Sequence, residues 1–163
     1  MSTTYAVLIS LAICVVSAIL EGIGAGKDVK GFFARLRLPR FSPPMWVWYI
    51  IGVAYYAMCF FLAYRILRYE ADDSIKYIAL ALLLVYMGIN AYWNFVFFRF
   101  HNMFYAFLVG LPYVPVAIGL FVSLWQFDET AAFVFLPYLF YLIYATWLGY
   151  QNWQRNKDTD FSK

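Results

Sequence analysis

Five stretches of this chain carry no Asp, Glu, Lys or Arg: Met1–Leu20, Phe41–Tyr64, Tyr77–Phe98, Phe100–Phe127 and Thr130–Gln154. Each is 20 residues or longer. About 20 apolar residues in a helix cross the roughly 30 Å hydrocarbon layer of a bilayer. Lipid offers no partner to a backbone amide, and a helix pairs its amides internally. Barrel strands would show alternating segments of about 10 residues instead. The runs therefore predict one all-α integral membrane domain, 1–163, a five-transmembrane-helix bundle with spans near 5–24, 44–65, 77–98, 103–126 and 131–153. Composition agrees: 65% of residues are hydrophobic and 13% charged, against about 45–50% and 25% in soluble domains. Such a chain is too apolar for disorder. A net charge of only +3 argues against a nucleic-acid partner, whose footprint needs clustered Lys and Arg on a solvated face.

The connections hold the charges. The first, about 25–43, is long and basic, with Lys27, Lys30, Arg35, Arg37 and Arg40. Arg99 lies in the third, and Arg155, Lys157 and Lys163 in the tail. Five crossings put these nine on one side and Arg65, Arg68 and Lys76 on the other. Positive residues favour the cytoplasmic face, so the expectation is an outside N-terminus and a cytoplasmic C-terminus. The first run lacks the basic start and short core of a cleaved signal peptide.

Polar groups within apolar spans are costly and point to cavities. Ser10, Cys14, Ser17 and Glu21 form one stripe on the first span, with Glu21 either at the interface or facing inward. Cys14 and Cys59 read as packing residues. Ala18, Gly22 and Gly26 stand four apart, a spacing that serves packing within the bundle or, as the alternative, a dimer seam. Tyr86, Asn90, Trp93, Asn94 and Phe97 share a face of the third span. Asn94 reads as structural, and Asn90 and Trp93 as a pocket wall. Ser42-Pro43-Pro44 reads as a helix start capped by Ser42. Pro112 and Pro115 are expected to bend the fourth helix, and Pro137 the fifth.

Much catalytic chemistry is missing. His101 with two separated cysteines cannot supply the three or four ligands of a zinc site, and it reads as a solvated or interfacial histidine. Gly22-Ile23-Gly24-Ala25-Gly26-Lys27 follows a membrane helix and not a strand, so it fails as a phosphate loop. No nucleophile–base pair stands out, and no tightly bound cofactor is expected.

Three segments resemble the TspO/MBR, or translocator protein, family. Phe32-Phe33-Ala34-Arg35-Leu36-Arg37-Leu38-Pro39-Arg40-Phe41-Ser42-Pro43-Pro44-Met45-Trp46-Val47 is similar to its W-Y-x-x-L-x-K-P-x-W-x-P-P-x-W-V. Asn90-Ala91-Tyr92-Trp93-Asn94-Phe95-Val96-Phe97-Phe98 is similar to N-x-x-W-x-x-x-F-F. Leu136-Pro137-Tyr138-Leu139-Phe140-Tyr141-Leu142-Ile143-Tyr144-Ala145-Thr146 is similar to P-Y-L-x-W-x-x-x-A-T. The resemblance implies a five-helix bundle with a cavity under the first loop, which acts as a lid. It implies a receptor or binding protein for porphyrins or similar flat lipophilic ligands, which it senses or transports. Membrane lipid, cholesterol in animal members and a homodimer are further implied partners. The implied membrane is a bacterial inner membrane or an organelle outer membrane.

Transferred by position, the ligand-binding residues are Phe33, Trp48, Gly52, Asn90, Trp93, Phe97, Tyr105, Tyr141, Ala145 and Leu148. The sequence departs from the family at Phe32-Phe33, Leu38 and Phe41, and in carrying Glu21, Pro112 and Pro115. Two tryptophans that some bacterial members use to degrade porphyrin in light are Gly52 and Tyr141 here. A light-dependent porphyrin-degrading enzyme is therefore the alternative reading, and a membrane scaffold or lipid- or sterol-binding protein is a third. The sterol-type pattern Leu148, Tyr150, Arg155 reads equally as an interfacial anchor.

Overall fold

The computed structural model of the chain describes residues 1–70 and 73–159. Lys163, counted above for orientation, lies outside them. The described residues form helices and no strand: α1 Thr3–Ala25, α2 Val29–Arg35, α3 Met45–Arg68, α4 Asp73–Phe98, α5 Met103–Gly110, α6 Tyr113–Phe127 and α7 Glu129–Asn156. Five segments are long and apolar enough to span a bilayer: α1, α3, α4, α5 with α6, and α7. The protein is a multi-pass integral membrane protein.

The spans close into a ring. α1 packs on α3 and α4, α4 on α5 and α6, these on α7, and α7 on α3. Lipid removes the hydrophobic drive between helices, so close van der Waals contact has to replace it. Small residues allow that approach. Ala6, Ala63, Ala79, Ala117, Ala131 and Ala132 are all fully buried. At Gly24 an added Cβ would stand 3.3 Å from that of Phe95, which brings α1 against α4. The inward face of α1 is the polar stripe: Ser10, Cys14 and Ser17 are buried, and both cysteines are free. Ala18, Gly22 and Gly26 do not pack inside the bundle as expected. All three are exposed, because the stripe through Glu21 takes the inward face.

The prolines act differently from one another. The fourth span breaks at Leu111-Pro112. Pro112 and Pro115 have no N–H to give, and Leu111 and Val114 instead close short bonds to Leu108 and Leu111 carbonyls, at 3.2 and 3.3 Å. Pro137 lies inside α7, which runs through it without a break. Ser42 is not the cap of α3. Pro44 takes that position, no side chain caps the helix, and the Ser42 hydroxyl is buried without a partner.

At the end opposite the lid, Asp128 joins α3 to α7. Arg65 donates to both of its carboxylate oxygens, at 2.6 and 2.8 Å, and Asp128 accepts from the Ala131 N–H to cap α7. Burial opposes its ionisation, but these hydrogen bonds outweigh it and hold its pKa below the ordinary value.

The first loop is a folded lid. Its helix α2 drives Phe32 into a pocket where it is fully buried, edge-on to Phe97 at 5.6 Å and stacked on His101 at 4.2 Å. His101 is thus a packing partner and not simply a solvated residue. It sits at φ 54°, a left-handed conformation that costs a non-glycine residue about 1 kcal/mol and turns α4 sharply toward α5. Asn156 ties the lid to α7, accepting from the Arg37 N–H at 2.9 Å, while the Tyr144 hydroxyl donates to the Phe41 carbonyl at 2.7 Å.

Candidate ligand cavity

The five spans do not fill the ring they form. Under the lid they line a partly open cavity of about 270 Å³. α2 contributes Phe33, and α3 presents Trp48, Gly52, Tyr55 and Tyr56. α4 presents Asn90, Trp93, Asn94 and Phe97 from one face, as their spacing requires. α7 presents Tyr138, Tyr141, Ala145, Leu148 and Asn152, and α1 gives Glu21. From Met45 at the lid to Tyr56 is eleven residues, so the cavity reaches about 16 Å into the bundle.

The walls are largely aromatic. Trp93 stacks on Phe97 with ring centroids 4.7 Å apart and an interplanar angle of 15°. Trp48 is held by its Nε1–H, which donates to the Pro43 carbonyl at 3.2 Å, so the double-proline segment orients this indole. Gly52 leaves open space where any larger residue would stand, with nothing within 4 Å of an added Cβ. Asn94 has the structural bond expected of it, donating to the Asn90 carbonyl at 2.9 Å, and it also faces the cavity. The Asn90 amide donates to Glu21 at 2.6 Å and pins that carboxyl to the wall. Glu21 therefore faces inward.

Nine of the ten residues transferred by position meet at this cavity: Phe33, Trp48, Gly52, Asn90, Trp93, Phe97, Tyr141, Ala145 and Leu148. Tyr105 does not. It stands on the outer face of α5, 42% exposed, with its hydroxyl 3.1 Å from that of Tyr92. The turn at Asn102, which caps α5 by accepting from the Tyr105 N–H, starts the helix in a register that sends Ala106, Phe107 and Gly110 inward instead. Nor do Leu148, Tyr150 and Arg155 make one patch. Leu148 faces the cavity, whereas Tyr150 and Arg155 are exposed.

Of the inner end, the sequence patterns held Tyr86 and Tyr138 but missed Tyr55, Tyr56 and Tyr113. Tyr55, Tyr56, Tyr113 and Tyr138 line it, and Tyr86 lies behind them, 4.5 Å from Tyr113 by ring centroid. Their positions held a signal. Tyrosines favour the membrane interface, yet these fall near the middle of their spans. The described residues hold no group of three or more acidic, histidine or cysteine side chains able to bind a metal.

Comparison with known proteins agrees with this architecture. The chain is 23% identical to Protein CrtK of Rhodobacter capsulatus over 82% of its own length and 83% of that protein. It is 27% identical to the Tryptophan-rich sensory protein of Cereibacter sphaeroides, covering 76% and 78% of the two chains. It is 29% identical to the Translocator protein of Ovis aries, covering 78% of each. The family model for TspO/MBR matches residues 10–154, which include every cavity-lining segment, and the chain belongs to the TspO/MBR family.

Proposed function

We propose that this protein is a membrane receptor for flat lipophilic ligands of the porphyrin type, held in the cavity under the lid. The convergence of Trp48, Trp93, Phe97 and Tyr141 on one cavity is the observation that carries this reading. Aromatic faces bind a planar macrocycle by offset stacking. The acidic side chains of a porphyrin point outward in this arrangement, toward Arg35, Arg37 and Arg40 of the lid, since no Lys or Arg is among the described lining residues. At about 270 Å³ the cavity falls just below the roughly 300–1,000 Å³ of typical ligand sites, so a macrocycle needs the lid or the walls to give way. The lid end faces the cytoplasm, as its excess of basic residues favours.

Titration of the detergent-purified protein with protoporphyrin IX tests this. Tryptophan fluorescence is expected to quench to saturation at one ligand per chain. Trp93→Ala is expected to weaken binding about tenfold, because a stacked indole contributes roughly 1.5 kcal/mol. Linear quenching without saturation would overturn the proposal.

A further inference from the structure

Glu21 is the only acidic or basic side chain among the described residues that line the cavity. It stands in a wall of rings, beside Tyr56 and bonded through one oxygen to Asn90. Among the described residues no Lys, Arg or His forms an ion pair with it. The described residues of the cavity include no Lys, Arg or His, and Arg99 at the end of α4 instead donates to the Ile23 carbonyl at 3.4 Å. A carboxylate in a low-dielectric site is costly unless it is paired.

A second observation points the same way. The hydroxyls of Tyr55 and Tyr113 line the inner end, are more than nine-tenths buried, and neighbour one another and Tyr138 without completing a well-formed hydrogen bond. The Tyr56 hydroxyl is likewise buried, beside the Glu21 carboxyl and the Ser17 hydroxyl, without a well-formed hydrogen bond. Leaving such groups poorly satisfied is unfavourable, and their oxygens can accept from a donor that a ligand brings.

We infer that the inner end of this cavity binds lipophilic aromatic amines in their protonated form, with the ammonium group at Glu21 and the ring system among Trp48, Trp93 and Tyr141. An ammonium group brings three N–H donors for a carboxylate and phenolic oxygens. It also gains from the faces of surrounding tryptophan and tyrosine rings. An anionic headgroup at this depth would meet Glu21 as a like charge. The site therefore takes a ligand class different from a dicarboxylate porphyrin, which turns its acids toward the lid.

The test compares 2-naphthylmethylamine with 2-naphthylmethanol, which share a ring and differ in charge at pH 7. Isothermal titration calorimetry in one maltoside detergent is run on the wild-type protein, on Glu21→Gln and on Trp93→Ala. The wild type is expected to prefer the amine by about tenfold or more, as charge-assisted bonds imply. Glu21→Gln is expected to bring that ratio near one, leaving the alcohol affinity within about twofold. Equal wild-type affinities for the two compounds overturn the inference, whether or not the variant folds. An amine preference that survives Glu21→Gln also overturns it. Protoporphyrin titration of the same samples separates the two readings. Saturable porphyrin binding without an amine preference removes only this inference, and the converse removes only the porphyrin proposal.

Discussion

Phe32→Ala is expected to unlatch the lid. The ring is fully buried, edge-on to Phe97 and Phe98 at 5.6 and 6.2 Å, and stacked on His101 at 4.2 Å. Truncating a core phenylalanine to alanine costs about 3–5 kcal/mol. The polar ties of the lid are smaller. The Arg37–Asn156 and Tyr144–Phe41 hydrogen bonds contribute roughly 1 kcal/mol each. Phe32 is thus the largest of the buried lid side chains, with Leu36 and Pro39 buried beside it, and its loss outweighs either hydrogen bond. Even the lower figure multiplies the open population by about a hundredfold, at 1.4 kcal/mol per factor of ten. Trypsin reads this directly, since Lys30, Arg35, Arg37 and Arg40 lie on the lid while exposed Lys157 serves as an internal reference. Cleavage follows the open population when opening and closing are fast. Lid cleavage relative to Lys157 is expected to rise at least tenfold in Phe32→Ala and much less in Phe32→Leu. An unchanged ratio would refute the reasoning. So would equal acceleration at Arg65 and the lid, because Phe32 would then support the whole bundle.

Asp128→Ala is expected to destabilise the bundle by about 1–3 kcal/mol in a thermal melt, through loss of the α7 cap and of the pair with partly exposed Arg65. The same pair sets an acid limit. The folded pKa of Asp128 is below its unfolded value, so its contribution is present above the unfolded pKa and lost as pH falls through the folded one. Melting midpoints are expected to drop below about pH 4 in the wild type and to depend less on pH there in Asp128→Asn. Tyr105→Phe is expected to leave protoporphyrin affinity within about twofold by fluorescence titration, since its hydroxyl meets Tyr92 outside the cavity. Gly24→Leu is expected to lower the melting midpoint by forcing α1 away from Phe95, a cost of about 1–3 kcal/mol.

Charge spacing by itself determined the five spans, because a bilayer penalises each charge and each unpaired amide wherever they occur. The predicted span 77–98 and the observed α4, Asp73–Phe98, differ only at the start, where charge at the helix end is tolerated in the headgroup region. Periodicity was enough to gather Asn90, Trp93 and Phe97 on one face, since their spacing matches the helical repeat. It could not decide which face of α1 turned inward. Two stripes, one polar and one of small residues, satisfied the same rule, and only contact with α3 and α4 chose the one through Glu21. Nor could a motif place Tyr105, whose direction depends on the left-handed turn at His101 and the cap at Asn102. The assembly of the tyrosine floor was equally hidden, although Tyr86 and Tyr138 stood in recognised patterns. Tyr55, Tyr86, Tyr113 and Tyr138 come from four different spans, and their meeting depends on how those spans close into a ring. Local patterns thus decided what crosses the membrane, while helix packing decided which polar groups share the space inside it.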